Sequence, residues 1–250
     1  MIGPALGGVL YSTSRLLPFL ADALSYAVSV ASLFLMRTPF QDERVAKPRR
    51  LRAEIAEGLV WLWRQPLIRS IALFGSSINF TVSGSSLLVI VIAERRGASP
   101  SVIGVIFTIA ALGTIVGSLL GPLVQKRFSF GQAIICTTWL MALVWPLYAL
   151  APNPLLLGVI SALFFTTTPI YTVVQLSYRL ALIPDALQGR VNSVFRLLVF
   201  GFQPLGMALA GLLLEQVGPI PAILIFAACL LALALLTTSN PDVRHARPLK

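Results

Sequence analysis

The stretch FSFGQAIICTTWLMALVWPLYALAPNPLLLGVISALFFTTTPIYTVVQLSY, Phe128–Tyr178, runs for 51 residues without a single Asp, Glu, Lys, Arg or His. A helix crossing the hydrocarbon of a bilayer needs about 20 mainly apolar residues, because ~30 Å is covered at about 1.5 Å per residue. The run is long enough for two such helices, and Ala151-Pro152-Asn153-Pro154 places turn-forming residues between them. Reading outward, Ser70–Ala93, Gly97–Gln125, Leu197–Leu214 and Gln216–Asn240 are also long apolar segments, the last two divided near Gly218-Pro219. Leu16–Met36 is a further span interrupted by one acid, Asp22. The expected fold class is an all-α polytopic membrane protein with seven full transmembrane helices.

Composition agrees. Hydrophobic residues make up 57% of the 250-residue chain and charged residues 11%, against roughly 45–50% and about 25% in soluble globular proteins. Nine acids and nineteen Lys/Arg cannot cover the surface of a soluble fold, so the lipid bilayer is the expected partner. Met1–Tyr11 is apolar but covers only about half the hydrocarbon, and it lacks the basic start of a signal peptide. It reads as the second half of a helix, making the chain the C-terminal part of a longer protein whose earlier helices would be further partners. The expected organisation is the end of a first helical bundle at 1–36 (half-helix 1–11, helix 16–36), a cytoplasmic linker at 37–66, a six-helix bundle at 67–240 and a cytoplasmic tail at 241–250.

The net charge of +10 is explained by topology. With Arg37–Arg69 on the cytoplasmic side, that side collects 16 cations, among them Lys126, Arg127, Arg179, Arg190 and Arg196. The opposite side holds three, Arg15, Arg95 and Arg96. This is the positive-inside bias of a cell-membrane protein with a cytoplasmic C-terminus. No basic stretch is interleaved with stacking aromatics, so no nucleic-acid partner is expected. Thr38–Arg52 has no apolar periodicity and reads as a flexible linker. Residues 53–65 read as an amphipathic helix on the membrane surface, with Ile55, Leu59 and Leu62 on one face and Glu54, Glu57, Trp61 and Arg64 on the other.

Chemistry is limited by inventory. The one histidine, His245, lies in the polar tail, which excludes a His proton relay, a zinc site and a Ser/His hydrolase. Cys136 and Cys229 sit in apolar runs and read as small packing residues. An intramembrane enzyme would lack a base, so no enzyme is expected, and nothing in the sequence asks for a cofactor or metal.

Glycines cluster instead. Gly113, Gly117 and Gly121 form a GxxxGxxxG face that permits close helix approach. Gly3-Pro4-Ala-Leu-Gly7-Gly8 lies in the first apolar segment, and Gly201-Phe-Gln203-Pro204-Leu-Gly206 in the seventh segment. Gly8 precedes Pro18 by ten residues, as Gly211 precedes Pro221, which fits a parallel repeat of helix bundles.

On these residues the chain resembles the major facilitator superfamily, in particular its enterobactin-exporter-like (transmembrane secretion effector) branch. Gly3–Gly8 is similar to that superfamily's antiporter motif on the fifth helix. Gly121-Pro-Leu-Val-Gln125-Lys126-Arg127-Phe128 resembles a degraded copy of the loop motif between helices eight and nine, with Gln125 at its acidic position and Phe128 at a later glycine. Arg179–Arg196, including Pro184, Asp185, Gly189 and Arg190, resembles the branch's loop between helices ten and eleven. The resemblance implies helices five (in part) to twelve of twelve, and a proton-driven exporter of small molecules, multidrug- or siderophore-like, in the cytoplasmic membrane. It also implies gating roles for Gly3, Pro4, Gly7, Gly8, Gly121, Lys126, Arg127, Asp185, Arg190 and Arg196. Read from the residues alone, Pro184–Arg196 is either a loop anchored by salt bridges and phosphate contacts or a latch that changes partners.

A transporter site is expected near the midplane. Ser76, Asn79 and Ser83 form one polar stripe, and Thr168, Tyr171 and Gln175 another, with Thr166 and Thr167 beside it and Pro169 as a kink; Gln203 lies mid-span next to Pro204. Together they predict an uncharged, hydrogen-bonding cavity wall for a small-molecule substrate; the competing reading is bonding between helices. Asp22, the one acid embedded in a span, either pairs with Arg15 or carries a coupled proton. The function expected is alternating-access export; the rival is an inactive remnant or a non-transporting membrane scaffold.

Overall fold

A computed structural model describes residues 10, 14, 16–35, 51–244 and 246. The half-helix at 1–11 (Leu10 apart), the motif at Gly3, Pro4, Gly7 and Gly8, Arg15, His245 and the linker at 38–50 lie outside these residues. The described chain is helical: α1 Leu17–Leu35, α2 Leu51–Arg64, α3 Pro66–Val82, α4 Ser85–Arg95, α5 Pro100–Arg127, α6 Phe130–Val144, α7 Pro154–Leu182, α8 Gln188–Gly201, α9 Gln203–Gln216 and α10 Pro219–Ser239. Seven helical stretches among the described residues are long and apolar enough to cross a membrane.

Local sequence sets the helix ends. Ser129 and Gln132 form a reciprocal capping box at the start of α6. Asn153 accepts a hydrogen bond from the Leu156 amide at 2.8 Å and Pro154 opens α7, so the Ala151–Pro154 turn forms where the sequence places it. Gly218, at φ 83°, turns the chain into Pro219 and α10. That left-handed backbone favours glycine.

Two spans are broken, which the sequence reading did not anticipate. The Pro66–Arg95 span divides at Ser83-Gly84 into α3 and α4, and the Asp185–Gln216 span divides at Phe202 into α8 and α9. Pro204 in the first turn of α9 explains the second break, since its ring and missing N–H interrupt a continuing helix. The first break packs against α9, one to two turns beyond Phe202. A Cβ on Gly206 would collide with the Phe80 carbonyl and lie 2.5 Å from Ser83 Oγ, and a Cβ on Gly84 would collide with the Ala210 Cβ.

The GxxxGxxxG face does what its spacing predicts. α5 and α7 run side by side in one direction, Gly113 against Ala162, Gly117 against Thr166 and Gly121 against Val173. At Gly113 and Gly117 the neighbour is backbone, at Gly121 a valine side chain 3.2 Å from a built Cβ. Thr166 Oγ1 reaches across to the Gly113 carbonyl at 3.1 Å. Without a hydrophobic drive between helices in lipid, such packing and bonding hold the pair together.

The deepest packing is aromatic. Trp145 is fully buried and meets Phe164 edge-on at 5.1 Å and Tyr148 at 5.7 Å. Outward faces are apolar, with Leu119 69% exposed on α5, as lipid solvation requires. Cys136 and Cys229 lie on this exposed surface rather than packing inside; a small apolar side chain suits either place, so their runs did not distinguish the two. The start of the tail docks: Val243 is fully buried, and a Cβ on Gly131 would meet its carbonyl.

α2 is helical as expected, and the three residues of its apolar face divide. Gly58 and Leu62 are its buried residues, whereas Ile55 and Leu59 are exposed. The face carrying Glu54 and Glu57 packs toward α8, because glycine at 58 lets the helix close on the Arg190 backbone, 2.9 Å from a built Cβ. Ile55, Leu59 and Trp63 are left on the surface, a face suited to lipid headgroups and chain tops.

Candidate functional site

A cavity of about 360 Å³ opens between α3, α7 and α8. From α3 it takes Gly75, Ile78, Asn79 and Val82, a helical i, i+3, i+4, i+7 face. From α7 it takes Thr168, Tyr171, Gln175 and Arg179, and from α8 Phe195, Arg196, Val199 and Phe200. Glycine at 75 keeps the wall open, since a Cβ there would lie 3.7 Å from the Tyr171 hydroxyl and 3.3 Å from Val199.

Four of the expected cavity residues, Asn79, Thr168, Tyr171 and Gln175, therefore meet in one place. Asn79 Nδ2 donates to the Gly75 carbonyl at 3.0 Å. Tyr171 and Gln175 are buried.

Three expected residues lie elsewhere. Ser76 turns to the other side of α3, where its Oγ is 2.7 Å from the Ala72 carbonyl and 2.8 Å from the Leu198 carbonyl. It borders a separate groove of about 480 Å³ with Trp63, Phe80 and Cys229. Ser76 is one residue on from the cavity-lining Gly75, a rotation of about 100° about the helix axis, enough to turn it off the cavity face. Ser83 Oγ donates to the Phe80 carbonyl at 2.9 Å, inside the helix break. Gln203 opens α9 with an exposed side chain. Thr166 Oγ1 bonds across to the Gly113 carbonyl, whereas Thr167 Oγ1 bonds the Phe164 carbonyl of its own helix.

The cavity wall is not uncharged. Arg179 is 5% exposed and lies with its guanidinium 3.7 Å from the centroid of the Phe195 ring; its Nε is buried without a hydrogen-bond partner. Sequence reasoning counted it as a loop cation because it ends the charge-free run. The signal was present in its spacing. Arg179 continues the stripe of Thr168, Tyr171 and Gln175 by one more turn, at i+11.

The loop residues also find partners. Asp185 sits in a 3₁₀ turn, Asp185–Leu187, and accepts from Gln188 Nε2 at 3.0 Å. Arg190 bridges to α2, with Nη1 2.6 Å from Glu57 Oε2 and Nη2 3.7 Å from Glu54 Oε1. Arg196 lines the cavity. Lys126 and Arg127 are exposed in the last turn of α5, and Gly121 packs on Val173. Asp22 is exposed on α1, a helix that buries none of its residues.

A family model described as transmembrane secretion effector matches residues 1–248. The chain is 24% identical over 259 residues to the multidrug efflux pump Tap of Mycolicibacterium fortuitum, an alignment taking in 98% of this chain and 61% of the pump. It is likewise 24% identical over 225 residues to the enterobactin exporter EntS of Escherichia coli O1:K1, covering 88% of this chain and 52% of the exporter. The chain thus spans between half and two thirds of the length of these curated relatives.

Proposed function

The chain belongs to the transmembrane secretion effector family of the major facilitator superfamily, and from that premise we propose that it forms the greater part of a secondary active exporter of small molecules. The observation that carries this reading is the cavity at Asn79, Thr168, Tyr171 and Gln175, lined by two discontinuous helical spans, the first of which packs its break against the second. Broken helices around a mid-membrane cavity are the pattern of secondary transporters, where one bundle rocks against another around a fixed site. In this proposal α3–α10 form one bundle, and α1, which buries no residue of its own, belongs to the other. Solute enters the cavity while it faces the cytoplasm and leaves after the bundles rock. The C-terminus is cytoplasmic on the distribution of Lys and Arg.

Hydrogen-bonding groups on an aromatic wall suit an amphiphilic solute. We assign coupling to the proton gradient, with Asp22 as the candidate carrier, since an acid in a span is retained for function or for pairing.

The test is transport by the full-length protein in vesicles. Accumulation of a hydrophobic dye against its gradient supports the proposal, and its collapse with the proton gradient supports the coupling. An Asp22→Asn variant with unchanged proton-driven efflux removes Asp22 from that role. Absence of uphill movement for every member of a broad solute panel overturns the transporter reading itself.

A further inference from the structure

We propose that the Arg179 end of the cavity binds one anionic group, a carboxylate or a phosphate monoester, carried on an aromatic or apolar body. The inference rests on the transport reading above and names a solute class for it.

Two guanidinium groups, Arg179 and Arg196, line the same cavity, and no lining residue is acidic. The ion pairs found among the described residues use Arg190 alone. Arg179 is 5% exposed, and its Nε has no hydrogen-bond partner. A charge taken out of water without a counter-ion is costly, and such residues in membrane proteins mark ligand pathways. The Phe195 ring at 3.7 Å offsets part of that cost through its negative face. It also fixes the plane of the guanidinium. Stacking covers one face of that plane and leaves its N–H edge for a ligand, the geometry in which arginine holds a carboxylate or phosphate bidentately.

The rest of the cavity defines what the anion is attached to. Tyr171, Phe195 and Phe200 supply ring surface, while Asn79, Thr168 and Gln175 offer neutral hydrogen bonds further along. Thr168 to Arg179 spans eleven residues of α7, about 16 Å, room for an acid head and a ring system in line. Arg196 is exposed and Arg179 buried along the same cavity, so an anion entering it meets two positive charges.

A lipid phosphate offers the same chemistry as a solute, and the experiment separates them. The full-length protein in phosphatidylcholine nanodiscs is titrated with 2-naphthoate, 2-naphthyl phosphate, the neutral 2-naphthalenemethanol and the cationic 2-naphthylmethylammonium. Expected is saturable binding of both anions, roughly tenfold or more tighter than the alcohol, as loss of a charge-assisted bidentate contact implies. Arg179→Gln should weaken the anions by a similar factor and leave the alcohol unchanged, with Arg179→Lys intermediate. Arg196→Gln, at an exposed position, should weaken them severalfold without affecting folding. Anion binding abolished by added phosphatidylglycerol, with that lipid retained by the wild type and lost from Arg179→Gln in native mass spectrometry, keeps the anion site and assigns it to a lipid headgroup. Equal affinity for all four naphthalenes, or anion affinity indifferent to Arg179→Gln and Arg196→Gln, overturns the anion site and leaves the transporter reading standing. Arg179-dependent binding of naphthoate by vesicles that move no solute overturns transport and leaves the site.

Discussion

Arg190 Nη1 lies 2.6 Å from Glu57 Oε2 and ties the first turn of α8 to α2, the helix that precedes the six-helix bundle. The pair is partly solvated, with 37% and 51% of the two side chains exposed. An exposed pair of this kind contributes about 0–1 kcal/mol, so its removal should leave the fold intact. Glu57→Gln and Arg190→Gln are expected to lower the thermal midpoint in detergent by no more than a few degrees. If the pair is a latch, each should alter the transport rate severalfold, and the swapped double variant Glu57→Arg/Arg190→Glu should recover most of it. Equal rates in all four proteins would leave the loop as an anchor only.

The glycine face on α5 permits a graded test of packing. Side chains at Gly113 and Gly117 would collide with the backbone of Ala162 and Thr166, which cannot move without displacing α7. Gly113→Val and Gly117→Val should each destabilise the protein by roughly 3 kcal/mol or more, at the upper end of overpacking costs. Gly121→Ala meets only a valine side chain at 3.2 Å and should cost about 1 kcal/mol. Gly104 has nothing within 4 Å of a built Cβ, so Gly104→Ala should be neutral or slightly stabilising. Thermal unfolding monitored by tryptophan fluorescence of the detergent-solubilised protein checks the order; a flat series refutes the parallel α5–α7 contact.

The two helix breaks make a prediction about compensation. Gly84→Ala introduces a methyl group that collides with the Ala210 Cβ and should destabilise by about 1–3 kcal/mol. Ala210→Gly removes the obstacle, so the double variant should recover at least half of that loss. A double-mutant cycle reads the coupling directly. Additive effects would mean that Gly84 and Ala210 do not touch.

Much of this architecture is legible in the sequence because lipid imposes a simple rule. Each span must be long, apolar and ended by residues such as Asn153-Pro154 or Gly218-Pro219, and these signals do not depend on distant partners. The break at Ser83-Gly84 is hidden because it packs against Gly206 and Ala210 on a helix distant in sequence. On α2, Ile55 and Leu59 keep the surface position that hydropathy suggests, while the packing of Gly58 and the acid pair on α8 depends on a helix distant in sequence. Arg179 was passed over since a charge at the end of an apolar run looks like a loop cation. Only the neighbouring Phe195 and the inward turn of α7 show it to be buried.

The cavity itself yields the most direct prediction, because the structure divides the polar residues of the spans into two groups. Asn79, Tyr171 and Gln175 border the cavity, whereas Ser76 bonds backbone on the other side of α3 and Gln203 is exposed at the start of α9. For a solute held in the cavity, Tyr171→Ala and Gln175→Ala should raise the KM for efflux about tenfold or more, as expected for removing a buried aromatic or hydrogen-bonding contact. Tyr171→Phe separates the ring from the hydroxyl, and should keep most of the affinity for solutes bound by stacking alone. Gly75→Leu, which projects into the space beside Tyr171, should block transport while sparing the α5–α7 pair. Ser76→Ala and Gln203→Ala are the controls and should change KM by less than about twofold. Efflux kinetics on vesicles with matched protein content measure all six variants. Were Ser76→Ala to impair transport as strongly as Gln175→Ala, the solute path would run through the outer groove that Ser76 borders and not between α3, α7 and α8.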